Sequence, residues 1–184
     1  MSFHAHGASI LTAMALIAGA VALTPTPVAA DTVTANDWDE LVEAFSEASE
    51  DRTVTLNANI TAPAGGSLVI PSAITVTLNL AGQELEITDP GDEHPAIGVP
   101  SDAGLVIIDT PGDGTLTVQG AFSAAGIGGG TGEDGGTVEI SDGVVIAQGG
   151  DSGAGIGGGA GLTSRGAFAD GQTLKRNSTT FRQR

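Results

Sequence analysis

The sequence predicts an all-β fold: a right-handed parallel β-helix, or solenoid, closed at its N-terminal end by one capping α-helix. Three observations carry this. First, a glycine-rich phrase occurs twice: Ala125-Gly126-Ile127-Gly128-Gly129-Gly130 returns as Ala154-Gly155-Ile156-Gly157-Gly158-Gly159, an offset of 29. A fixed period of about 20–50 residues marks stacked units. Second, from Thr53 onward short β-branched runs alternate apolar and polar residues, and most are separated by Gly, Pro, Asp or Asn. Third, the chain holds one Trp, five Phe and no Tyr, so its core must come from Val, Ile, Leu and Ala. A β-sandwich also suits many short strands. The repeated phrase favours coils, because the same corner must be made at the same angular position of consecutive turns. Ile127 and Ile156 are then expected to stack inside, one coil apart, and glycine to supply corners where backbones approach closely.

The elements follow in order. Ile10 to Leu23 is an uncharged apolar run, shorter than the roughly 20 residues of a membrane span. Val28 and Ala30 occupy the small-residue positions of a signal-peptidase site. Residues 1–30 are therefore expected to be a signal peptide, with Asp31 as the mature N-terminus and no membrane span after cleavage. The segment before the apolar run has no Lys or Arg, only His4 and His6. Residues 31–52 form the capping region. Within them Asn36–Ser49 is helical, because Trp38, Leu41, Val42 and Phe45 form one stripe. Asn36 is the expected N-cap, with Asp37, Asp39 and Glu40 near the positive end of the dipole. The stripe suits a plug over the open first coil, whose unpaired edge needs cover. Residues 53–161 are the coils. Residues 162–184 carry five of the six basic residues and no strand-like run. They read as a disordered basic tail, or as the truncated or frame-shifted end of a longer repeat protein.

The charge excludes several functions. Between Asp31 and Ser164 the chain has one basic residue, Arg52, against 21 acidic ones, a formal charge of −20. Such a surface repels nucleic acid and anionic lipid, so nucleic acid is not an expected partner. With no cysteine there is no disulfide and no thiolate metal site. A polysaccharide lyase needs a basic residue to take the proton beside a uronate, and Arg52 stands near the cap rather than in a cleft. A glycoside hydrolase needs two carboxylates across a groove, about 5–10 Å apart. The densest candidate group is Asp89, Asp92, Glu93 and His94 in the turn-rich "TDPGDEHP". Asp92, Glu93 and His94 are the candidate catalytic residues, weighed against a plain solvated loop. "GGTGEDGG" begins like a calcium-binding β-roll unit, but Gly136 stands where a large apolar residue should follow. Glu133, Asp134 and Asp151 are the oxygen donors such corners offer calcium, the one cofactor considered. For sugar stacking the repeats offer only Phe122, so recognition would fall to polar rows such as Asn57/Asn59 and Thr75/Thr77/Asn79.

The helix around Trp38, then "ITVTLNLAGQELEI", "GTLTVQG" and "AAGIGGG…GGTVEISDGVVIAQGGDSGAGIGGG", covering roughly Thr32 to Gly161, resembles secreted bacterial glycine-rich β-helix proteins of the broad pectate-lyase-like superfamily. That resemblance implies an extracellular or cell-surface location. It also implies a structural or binding role, adhesin-like or polysaccharide-associated, with an extracellular polysaccharide or a host or cell-surface component as partner. Whether the chain catalyses anything is open, with non-catalytic binding favoured. The alternative is a polysaccharide-acting enzyme, a glycoside hydrolase or lyase, on the same scaffold.

Overall fold

A computed structural model describes residues 31–161 and 181–182. The predicted signal peptide and all but two residues of the basic tail lie outside that set. The chain runs β1 (Asp31–Ala35), α1 (Trp38–Ser46), β2 (Arg52–Leu56), β3 (Ile60–Thr61), β4 (Leu68–Val69), β5 (Thr75–Asn79), β6 (Glu84–Ile87) and β7 (Ile97–Gly98). It continues through β8 (Gly104–Ile108), β9 (Thr115–Gln119), β10 (Ile127–Gly128), β11 (Thr137–Ile140), β12 (Val144–Gln148) and β13 (Ile156–Gly157), and β14 (Phe181–Arg182) pairs with β12. Three sheets result: β1-β2-β5-β8-β11, β4-β7-β10-β13, and β3-β6-β9-β12-β14. Every pairing among the described strands is parallel: β2 returns to its own sheet as β5, β8 and β11, three complete circuits. The molecule is a parallel β-solenoid.

Alternation along each strand sets which side chains meet. In the first sheet Val33, Val54, Leu78, Ile107 and Ile140 are register partners in succession. In the third, Ile60, Leu85, Leu116 and Val145 form the equivalent column. In the second, Leu68, Ile97, Ile127 and Ile156 align. Apart from half-buried Val33, all are buried within one apolar cluster. Each coil therefore shields the greasy side of the next, as a solenoid requires. The repeated phrase is one corner of this scheme, and "AIGV" (residues 96–99) and "LVI" (68–70) take the same register position in the earlier coils.

Several details differ from expectation: the helix ends at Ser46 rather than Ser49, and the tail contributes β14. A strand, β1, precedes the helix and pairs in full register with β2. The N-cap is Asp37, not Asn36: Asp37 Oδ1 accepts from the Glu40 amide at 2.9 Å. Glu40 reaches back to the Asn36 amide at 2.8 Å, a capping box displaced by one residue. The helix closes the end as expected. Leu41, Ala44 and Phe45 are buried in the same core, with Trp38 and Val42 against it. Gly66 admits Trp38, since a Cβ there would lie 2.9 Å from the ring.

The corners are tied by side chains. Asp109, 2% exposed, accepts from the Gly82 amide at 2.8 Å and the Gly114 amide at 2.6 Å. Asn79 Oδ1 accepts from Ala81 and Thr110 amides, and Asn59 Oδ1 from the Glu84 amide. Asn57 donates to Asn36 at 2.8 Å. The asparagines considered as sugar-binding rows thus spend their polar groups joining neighbouring coils.

Candidate functional site

The longest excursions from the coils meet on the outside of the second sheet. They border a cleft of about 710 Å³, within the range of small-ligand sites. Its floor is the register column Val69, Gly98 and Gly128. Val69 is the exposed member of this column, whereas Gly98 and Gly128 are buried; φ at Gly128 is 134°, a conformation that disfavours side chains. One wall carries Asp92, Glu93, His94 and Pro95. Val99, Pro100, Ser101 and the corner Gly129–Thr131 with Glu133 and Asp134 complete the lining. The fold thus gathers two groups that lie about forty residues apart in the sequence, the Asp92–His94 loop and Glu133/Asp134.

A second, smaller depression of about 280 Å³ adjoins it. It is lined by Asp89, Asp92, Gln119, Phe122 and Asp151, among others. Asp92 lines both, so the Asp89–His94 loop is a ridge between them. The ridge is anchored by backbone bonds: the Asp89 carbonyl accepts from Gly65 at 2.7 Å, and the His94 carbonyl from Ala121 at 3.0 Å. Thr131 Oγ1, from the larger cleft, donates to the Phe122 carbonyl at 3.4 Å. The corner bearing Phe122 is therefore joined to both walls.

The chemistry of the lining is acidic and open. Asp92, Glu93, His94, Glu133 and Asp134 are all exposed. Glu133 Oε2 accepts from the Gly130 amide at 3.2 Å, and the Glu133 amide donates to the Gly130 carbonyl at 3.0 Å, so this side chain closes its own turn. Of the calcium candidates, Glu133 and Asp134 line the cleft while Asp151 lines the smaller depression. Among the described residues no group of three or more His, Asp or Glu is arranged to hold a metal ion. Arg52 lines neither depression. Its guanidinium donates to the Ala44 carbonyl at 3.1 Å and pairs with Asp31 at 3.1 Å, binding the helix end to β1. The floor residues Val69 and Gly98 were not evident from sequence. The signal for them was the recurrence of Leu68, Ile97 and Ile127 at intervals of 29 and 30.

These features define a parallel β-solenoid with an acidic cleft over the second sheet and a smaller acidic depression beside it. No protein-family model matches the chain, and no curated protein or solved structure is significantly similar to it. No helix among the described residues is long and apolar enough to cross a membrane.

Proposed function

We propose that the protein is a non-catalytic, secreted or cell-surface binding protein that holds a polysaccharide chain in the cleft over β4, β7 and β10. The observation that carries this is a cleft bordered by two loops rich in hydrogen-bond acceptors, with exposed carboxylates on both the Asp92–Glu93 and the Glu133–Asp134 segments. Sugar hydroxyls are donors that suit such acceptors. Fixed negative charge favours neutral or amine-bearing sugars over uronates. The exposure of all four cleft carboxylates argues for binding over turnover, because a general acid is ordinarily tuned by a desolvated site. The leader-like residues 1–30 and the resemblance to glycine-rich β-helix proteins of the pectate-lyase-like superfamily support the extracellular setting.

The second reading, a polysaccharide-acting enzyme, draws on one fact: two carboxylate-bearing segments line one cleft. A glycan array and a hydrolysis screen on the same purified protein separate the two. Binding with no release of reducing ends is expected. Reducing-end release that is lost in Glu93→Ala selects the enzyme instead.

A further inference from the structure

We infer that the smaller depression is a sugar-ring subsite of the same surface, with Phe122 as its stacking platform, occupied by a neutral or amine-bearing oligosaccharide that crosses the Asp89–His94 ridge. This rests on the glycan-binding reading above and adds the ligand's path and its anchor.

Phe122 is 66% exposed, more than Val69 at 53% or Ile146 at 41%, the other large apolar side chains left in water. Scattered exposed apolar residues are ordinary. This one is the aromatic ring of the coils, in a chain with one Trp and no Tyr. It borders a depression that also carries the polar side chains of Asp89, Asp92, Asp151 and Gln119, beside the small apolar Pro90 and Ala121. A pyranose has an apolar C–H face and a rim of hydroxyls. The ring of Phe122 offers an apolar surface to the first. The carboxylates accept from the second, and the Gln119 amide both donates and accepts. A uronate carboxylate would meet three negative charges here and is disfavoured.

The platform is also held in place. Ala121 donates to the His94 carbonyl at 3.0 Å, Ala124 to the Ala121 carbonyl at 2.9 Å, and Gly150 to the Ala124 carbonyl at 3.0 Å. Gln119 and Gln148 end register-paired strands directly beneath. A pre-ordered corner limits the ordering cost of binding. Because Asp92 borders both depressions, a chain lying over the ridge contacts it from either side.

The test is calorimetric titration of the mature chain with ladders of neutral gluco-oligosaccharides and of chitosan oligosaccharides. Affinity for one ladder is expected to rise with length until the oligomer covers both depressions. Phe122→Ala is expected to lower affinity for the long oligomers about tenfold and to leave the shortest unaffected. Phe122→Trp is expected to restore it, and Ile146→Ala, on β12 and bordering neither depression, to change nothing. Wild-type binding that Phe122→Ala leaves unaltered at every length overturns the subsite while the cleft reading stands. Failure of the wild type to bind either ladder overturns both.

Discussion

Ile127 and Ile156 are register partners across β10 and β13, and both are at most 1% exposed. Ile97 lies on the other side of Ile127 in the same column. Ile127→Ala therefore removes a side chain packed from above and below, and is expected to cost about 2–5 kcal/mol. Ile156→Ala, with one described partner in the column, should cost less. Urea denaturation followed by circular dichroism checks both, and equal losses would contradict a stack of nearest-neighbour coils.

Asp109 is the buried polar side chain of the described core, and it serves two amide donors, Gly82 and Gly114. Asp109→Ala leaves both without their acceptor. A loss of about 2–4 kcal/mol is expected, read as a fall in melting temperature. Asp142→Ala, whose bond is to the adjacent Gly143 amide at 2.9 Å, should be far milder.

Gly128 and Gly132 test the close approach of backbones. Both have positive φ, 134° and 77°. A Cβ on Gly128 would run into the Gly157 carbonyl oxygen, whereas one on Gly132 meets nothing within 4 Å. Gly132→Ala is expected to cost about 1–2 kcal/mol from its backbone conformation alone. Gly128→Ala should cost clearly more, because β10 and β13 must part. Paired thermal melts decide this.

Calcium at millimolar concentration is expected to leave the melting temperature unchanged, since Glu133 is engaged with Gly130 and Asp151 lies in the neighbouring depression. A rise of several degrees that disappears in Asp134→Asn would place calcium at the Glu133–Asp134 corner instead.

Much of this architecture was legible in the residues. The doubled phrase gave the register of Ile127 and Ile156, and the alternation of "TVTLN" and "TLTVQ" located β5 and β9. The stripe from Trp38 to Phe45 located the cap. Other features were hidden for physical reasons. β1 is only five residues beside the predicted cleavage point, and its pairing with β2 is a long-range fact. Leu68–Val69 carries no glycine signal, since an exposed Val69 stands where its register partners in later coils are Gly98 and Gly128. Asn36 and Asp37 are comparable caps by residue type. Asn57, Asn59 and Asn79 looked like a solvated row because their partners lie 21 to 31 residues away. The meeting of the Asp92–His94 loop with Glu133 depends on coil-to-coil stacking, which no local pattern states.

The column Leu68, Ile97, Ile127 and Ile156 advances by 29, 30 and 29 residues while its neighbours stay in register. A whole circuit is thus a transferable cassette. Copying the stretch that separates Ile127 from Ile156 would lengthen the rod by one strand spacing, about 4.8 Å, without asking any existing corner to bend differently. Tandem duplication inside the gene could therefore extend the trough along the rod axis in uniform steps, tuning reach without redesigning the fold.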